Sequence, residues 1–468
     1  NIMNPVYREC AGRTVRELIR HVALCPCVIG YQIDNETKHY DAYNESIQAG
    51  FKQYLKERFQ TVEALNRAFG FSYWSNSIAD WDDLPDVRGT INASYGCEYE
   101  KYLRMKVSEF LEEQADIVRE YKREDQFLTH NFDFEWKKFG YAMSPDGYSY
   151  GVQPGCDHFL ASKAVDIAGT DIYHPTQDHL TGAEIAFCGD EIRSLKNDNY
   201  LVLETQAQAF KEWLPYEGQL RLHAYSHLAS GAGGLMYWHW HSIHNSFETY
   251  WKGLLSHDME SNPTYEEAAV IGKEWKAHGK KMSGIKKRNR IAVLVSNESL
   301  SAMKWFPADC ELSYNDIVRW IYDSLYEINL ECDIISAYSE DIEKYDMIVV
   351  PALYCVNKGI IERLNKFVRK GGVLVSSFRS FVADTDVKVF CGRQSYGMTE
   401  CFGMSYNQFT RPENAKVSGK ECRFFMEPSA AGNSRSPVRI RGQELGKVRG
   451  SQPESVRKRI SILYCHIS

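Results

Sequence analysis

The sequence predicts an α/β protein with two parallel-sheet domains, and three observations carry that prediction. From residue 1 to about 285, short apolar runs alternate with longer amphipathic stretches, which is how βα units of a parallel sheet read. Every candidate strand in that span ends in polar or aromatic residues, so the strand ends point to a shared site. After a basic, Gly-containing stretch, "GKKMSGIKKRN" around Gly279 to Lys287, a second alternation begins.

In chain order the first strand is "CVIGYQI", an apolar run that stops at Gln32, Asp34, Asn35 and Glu36. The stretch "FKQYLKERF" then places Phe51, Tyr54, Leu55 and Arg58 at helical spacing, and "TVEALNRAF" repeats the pattern. The runs "QFLTHNF", "VDIAGTDIY", "YLVLETQ" and "GGLMYWHW" supply four more strands. Beyond the linker, "RIAVLVSN", "DMIVVPALY" and "GGVLVSSF" read as buried strands. Between them lie the amphipathic helices "SYNDIVRWIYDSLYEI" and "GIIERLNKFVRKGG", the second closed by glycines, which gives a small doubly wound unit. Past about Arg423 the text loses any period and becomes rich in Arg, Ser, Gly and Pro, so an irregular, non-native ending is expected there.

Composition removes several function classes. The chain of 468 residues is 44% hydrophobic and 25% charged, with a formal charge of -7, so nothing draws it toward nucleic acid or anionic lipid. No run of about 18 or more uncharged apolar residues is present, and the start lacks a signal-peptide layout. The 29 Tyr and 10 Trp suit surfaces that stack on sugar-like ligands, and also suit a large core. Thirteen cysteines stand singly with no CxxC repeat, which fits a reduced, cytoplasmic chain. The chain does not begin with Met, and the expectation is a piece of something longer.

In a ring of βα units all strand C-termini open on one mouth, so Glu36, Asn131, Asp171, Tyr173, Glu204, Trp240 and His241 are predicted neighbours. A retaining glycosidase needs one carboxyl group that donates a proton and a second, ionised, about 5 to 5.5 Å away that attacks the anomeric carbon. Glu36 and Glu204 are candidates for that pair; ordinary ion-paired or solvent-facing glutamates are the competing reading.

The segments "YQIDNE", "ETQAQAFKEW" and "GQLRLHAYSHLASGAGGLMYWHWHSIHNSFETYWKGLLSHD" together resemble glycoside hydrolase family 42, the β-galactosidases of clan A. The similarity runs in order from "NPVYRE" through "LKERFQTVEALNRAFGFSYWSNSIADWDDLP" and "DIAGTDIYHP" to "TECFGMSYNQF", covering about the first 415 residues. The resemblance implies a (β/α)8 TIM-type barrel, N-terminally incomplete, over 1–285. It also implies a flavodoxin-like trimerisation domain, akin to glutamine amidotransferases, over 286–415, leaving the tail 416–468 outside both.

Carried over residue by residue, the resemblance makes Glu36 the general acid/base and Glu204 the nucleophile. Asn35 would bond the sugar near its 2-hydroxyl, while Trp213 and Glu248 line the galactose pocket as stacking wall and hydroxyl acceptor. Tyr173 joins the substrate-binding set. The implied activity is retaining hydrolysis of terminal β-D-galactosyl residues by a homotrimer, with no cofactor, nucleic acid or membrane partner. An α-L-arabinopyranosidase and a non-catalytic sugar-binding fragment are the alternatives.

Three departures from the family pattern bear on that reading. The stretch "TKHYDAYNESIQAG" lacks the cysteine cluster that holds zinc in some members, and the spacing of His239, His241 and His244 makes no convincing substitute, so no metal is expected. Trp251 stands where several members carry a His, which alters one sugar contact. Only 35 residues precede Glu36 where the family has three earlier βα units, one of which supplies a pocket arginine. The expectation is a barrel short of its first strands, with exposed edges and poor stability or activity by itself. Cys355 follows a strand without the glycines of a nucleophile elbow and reads as an incidental thiol in a catalytically silent domain.

Overall fold

The computed structural model describes residues 1–138, 148–307, 312–403 and 405–406, with short strand pieces at 416–417, 420–423 and 466–467. In chain order its elements begin with α1 (Pro5–Val22), β1 (Gly30–Asn35), α2 (Glu45–Phe59), α3 (Val62–Phe69), α4 (Ala93–Arg119), β2 (Phe127–Phe132), β3 (Glu135–Lys138) and β4 (Tyr148–Gly151). They continue with α5 (His158–Ala161), β5 (Gly169–Asp171), α6 (Ala183–Lys196), β6 (Tyr200–Gln206), α7 (Gln219–Ala229), β7 (Ala232–Trp238) and α8 (Pro263–Met282). Next come β8 (Ile291–Val295), α9 (Asn297–Trp305), α10 (Tyr314–Glu327), β9 (Asp333–Ser336), β10 (Met347–Val350), α11 (Lys358–Arg369), β11 (Val373–Ser376) and α12 (Thr399–Phe402). The expected irregular tail lies outside the described residues except for β12 (Lys416–Val417), β13 (Lys420–Arg423) and β14 (His466–Ile467), which pair antiparallel.

Residue contacts group the chain into two units. The first comprises Asn1–Ala42, Leu103–Lys138 and the stretch ending at Arg288; the second joins Tyr43–Tyr102 to the chain from Asn289 onward. The helices read from "FKQYLKERF" and "TVEALNRAF" therefore pack within the second unit, although they lie between strands of the first in sequence.

The first unit is built on a five-stranded sheet in the order β1-β2-β5-β6-β7, every pair parallel. This is the succession of barrel strands joined by crossovers, and the observed fold is a partial barrel. The central strand β2 is sealed on both faces: Leu128, Thr129, His130 and Asn131, which alternate in direction, are all buried. Gly169 is fixed by close approach, since a Cβ there would lie 2.4 Å from Leu203 Cδ1 and 2.7 Å from the His130 carbonyl oxygen. A hairpin of β3 and β4 leaves the sheet after β2.

Two sequence expectations are corrected here. The linker does not begin at Gly279: α8, capped by the Asn262 side chain with Pro263 in its first turn, runs through Gly279 to Met282. The strand expected at "CVIGYQI" starts only at Gly30, because a turn from Cys25 to Val28 is clamped by the Arg123 guanidinium on the Ala23, Cys25 and Val28 carbonyls.

The second unit has a four-stranded parallel sheet in the order β11-β10-β8-β9, with the winding reversing at β8, which is the flavodoxin-like order. Its core joins Ala292, Leu294, Ile348, Val350 and Leu374 of the sheet to Ile360, Leu364 and Phe367 of α11. A capping box of Ser313 and Asp316 starts α10, and Asn357 caps α11. In the Tyr43–Tyr102 segment Phe51 packs edge-on against Tyr99 at 5.0 Å, and Arg58 bridges Glu98 and Asp386. Cys355 is buried, and that burial pushes its thiol well above the ordinary range. No helix among the described residues is long and apolar enough to cross a membrane.

Behind β5 and β6 three histidines meet. His174 and His223 stand edge to face at 4.3 Å, and His227 lies 6.0 Å from His174. All three are buried, and Nε2 of His174 and His223 and both ring nitrogens of His227 have no hydrogen-bond partner among the described residues. Burial holds His174 down to about 4 and the other two well below their ordinary value. The unfolded chain titrates near 6.5 and so binds more protons than the native one between about 6.5 and 4. Their neutral burial is thus compatible with full stability above about pH 6.5, and stability drops as the pH falls toward 4. Urea midpoints at about pH 7.5 and about pH 5 are expected to show that loss, and His227→Leu is expected to flatten it.

Candidate active site

The register of the first sheet sets polar side chains side by side. Asn35 is paired with Asn131 across β1 and β2, and Asp171 with Glu204 across β5 and β6. Asn131, fully buried, is the hub of the cluster. Its Oδ1 accepts from the Glu36 backbone N–H (3.1 Å) and from Gln32 Nε2 (2.9 Å). Its Nδ2 donates to Asp171 Oδ2 (2.7 Å) and Asn35 Oδ1 (2.9 Å), with a longer contact to Glu204 Oε1 (3.3 Å). One amide thus ties together the two residues expected to do the chemistry.

Glu36 sits where β1 ends, with φ of 45°, a left-handed conformation that is strained for a residue other than glycine. Its neighbours hold that bend. His130 Nδ1 meets the Asp34 carbonyl at 3.0 Å while Nε2 accepts from the Thr37 N–H at 3.4 Å, which the neutral Nδ1–H tautomer satisfies. Burial keeps His130 neutral, bringing it down to about 3. Thr37 Oγ1 closes the turn on Asp34 Oδ2 at 2.7 Å.

Both glutamates are only partly exposed, and the carboxyl of each is raised above its ordinary range, chiefly by burial. For Glu36, Asp133 and Glu248 add to the rise, while Lys38, paired with Asp133, and a hydrogen bond with Asp171 oppose it. For Glu204, the Tyr173 hydroxyl, which donates to Oε2 at 2.7 Å, opposes the rise, and the charges of Glu36 and Glu248 support it. Tyr173 is itself positioned by its backbone N–H, which donates to the Tyr150 hydroxyl at 2.9 Å.

An aromatic wall extends from the carboxylates. Trp251 meets the Tyr173 ring edge-on at 5.0 Å, the Phe210 ring at 4.5 Å and the Trp213 ring at 6.1 Å. Trp213, half-buried, also packs edge-on against Trp136 at 5.9 Å. Such rings form a platform for the apolar face of a pyranose. Glu248 lies in a turn, its carbonyl accepting from the Trp251 N–H, and is near enough to both glutamates to raise each of them.

Glu36, Asn35, Glu204, Tyr173, Glu248 and Trp213 therefore gather around one focus. Trp240 and His241 do not join it. Because β7 ends at Trp238, Trp240 turns outward, 58% exposed against Tyr265, and His241 Nδ1 contacts the Ser242 carbonyl. His239 and His244 likewise contact backbone carbonyls, and among the described residues no group of three or more His, Cys, Asp or Glu is arranged to hold a metal ion. The sequence alone assigned no task to Asn131, Asp171 or His130; for His130 and Asn131 the signal was the polar triplet "THN" inside an otherwise apolar strand.

Comparison with known proteins places these observations in a family setting. The family model described as beta-galactosidase, glycoside hydrolase family 42, matches residues 1–278, and the beta-galactosidase trimerisation domain matches 289–423. Beta-galactosidase LacZ of Lactobacillus acidophilus is 25% identical over 438 residues, covering 90% of this chain and 62% of that protein. Beta-galactosidase BgaH of Haloferax lucentense is 27% identical over 394 residues, covering 81% and 57%. The solved beta-galactosidase of Halorubrum lacusprofundi superposes with a TM-score of 0.81 at 23% identity, covering 92% of this chain and 66% of that one. This chain thus spans about three fifths of the length of the curated relatives it matches.

Proposed function

Because this chain belongs to the beta-galactosidase family of glycoside hydrolase family 42, we propose that it hydrolyses terminal β-D-galactosyl residues with retention of configuration. Glu36 is the acid/base and Glu204 the nucleophile in this reading. Its main support is the Asn131 amide, which bonds the Glu36 backbone and the Glu204 carboxyl at once and so holds both groups on one focus.

In the first step Glu204 attacks the anomeric carbon and Glu36 gives its proton to the leaving oxygen; in the second, Glu36 takes a proton from the water that releases the sugar. Each task fits its residue's surroundings. Burial raises both carboxyls; at Glu204 the Tyr173 hydroxyl, bonded to Oε2, opposes that rise and favours the ionised form, while at Glu36 the charge of Asp133 adds to it. Asn35 is assigned to the sugar near its 2-hydroxyl, Glu248 to a ring hydroxyl, and Trp213 to the stacking wall. A second reading, an α-L-arabinopyranosidase, draws on Trp251, which stands edge-on to Tyr173 at 5.0 Å at the position where several family members carry a His, and so alters one sugar contact.

We assign catalysis to residues 1–285 and assembly as a homotrimer to 286–415, in keeping with the trimerisation-domain match over 289–423. The scattered single cysteines support a reducing, cytoplasmic setting. Proton NMR of nitrophenyl β-galactoside hydrolysis is expected to show the β-anomer of galactose first. First appearance of the α-anomer would refute retention, and faster turnover of the arabinopyranoside would favour the second reading.

A further inference from the structure

A third carboxyl group stands within the pair. Asp171, at the end of β5, is 2% exposed and lies in register beside Glu204. Its Oδ2 accepts the Asn131 amide at 2.7 Å, while Oδ1 is buried and no N–H or hydroxyl donor among the described residues meets it. That division suits a neutral acid, with Oδ2 the carbonyl-type acceptor and Oδ1 carrying the proton. We propose that Asp171 is a neutral positioning acid that donates its proton in a hydrogen bond to the Glu36 carboxyl and steadies Glu36 as a carboxylate between the two steps of the reaction.

The surroundings leave Asp171 little alternative. Glu36 faces it from the turn after β1, Glu204 from β6, and the Tyr150 and Tyr173 rings from β4 and from just beyond its own strand. Farther out, Asp133 and Glu248 act on Glu36, and the Lys38 cation is engaged by Asp133. Burial, then the charges of Glu204 and Glu36, push Asp171 up to about 10, so it stays protonated across the working range. A carboxylic acid kept neutral in an apolar setting so that it can donate is a known device of active sites. Here its partner gains charge in one step and loses it in the next. When Glu36 hands its proton to the leaving oxygen, Asp171 keeps its own and bonds the new carboxylate. When Glu36 then takes a proton from water, that bond weakens. No proton is gained or lost by Asp171.

This inference rests on Glu36 being the acid/base, and the test separates the two. The kcat/KM of the full chain for nitrophenyl β-galactoside is measured against pH for wild type, Asp171→Asn, Asp171→Ala and Glu36→Gln. The alkaline limb reports the proton on Glu36. Asparagine, a neutral donor of the same shape, is expected to leave that limb in place; alanine, removing the donor, is expected to move it up by about one pH unit. If Asp171 were ionised, asparagine would remove a like charge and move the limb down, which overturns the proposal. Should the alanine variant fail to fold, Asp171→Leu, which fills a similar space without a donor, replaces it, and an unmoved limb in that variant overturns the proposal. A wild-type limb in Glu36→Gln would overturn the acid/base assignment and this inference with it.

Discussion

Glu204→Ala is expected to lower kcat on nitrophenyl β-galactoside by on the order of 10⁴-fold or more, with the fold intact. In the proposed reaction this carboxylate supplies the bond to the anomeric carbon, and no other group in the cluster is placed and charged to replace it. Asp171 is beside it but protonated, and Glu36 is engaged by Asn131 through its backbone and by Asp171 through its side chain. Alanine also leaves a space lined by two donors, the Tyr173 hydroxyl and the Asn131 amide, which in the native site meet the two carboxylate oxygens. Azide fits such a space. Added azide is expected to restore turnover and to give α-galactosyl azide, because one displacement then replaces two. A variant within tenfold of wild type, or β-galactosyl azide as the product, would remove Glu204 from the nucleophile's place.

The sheets were readable because buried parallel strands are written as continuous apolar runs. "YLVLETQ" coincides with β6, residue for residue, and "QFLTHNF" differs from β2 only at Gln126. Where the chain does something other than run through a sheet, the reading slipped. The nine-residue "VDIAGTDIY" contributes only Gly169–Asp171 to the ladder, since the N–H groups of Asp166 and Ile167 bond the Leu128 carbonyl instead. The β3–β4 hairpin and β9, "DIIS" with only two apolar residues, lack the apolar run that marks a strand.

The site was legible to the same depth. A carboxylate at a strand end is visible in the text, so Glu36 and Glu204 could be named. Which side chains bond is a matter of register, and register is set by the whole sheet. The pairings Asn35 with Asn131 and Asp171 with Glu204 have no local signature, and neither does the strained turn at Glu36 that His130 supports from the next strand. Trp240 shows the converse: it carries the look of a strand-end residue, but the strand stops two residues earlier.

Glu36→Ala is expected to have an effect that depends on the leaving group, and that dependence identifies an acid. With an unactivated substrate such as methyl β-galactoside, whose alkoxide departs poorly, kcat/KM is expected to fall by about 10³-fold to 10⁴-fold. With dinitrophenyl β-galactoside, whose phenolate departs unaided, kcat/KM is expected to change by less than about tenfold, while kcat still falls because no base activates the second water. Azide, which needs no base, is then expected to raise kcat and to give the β-galactosyl product, opposite to that from Glu204→Ala. The alkaline limb of the pH profile is expected to vanish. In wild type it lies above the ordinary glutamate value of about 4.3 because burial raises Glu36, with Asp133 adding and the Lys38 charge opposing. Equal losses on both substrates would mean that Glu36 only shapes the pocket, and the proton would have to come from elsewhere in the cluster.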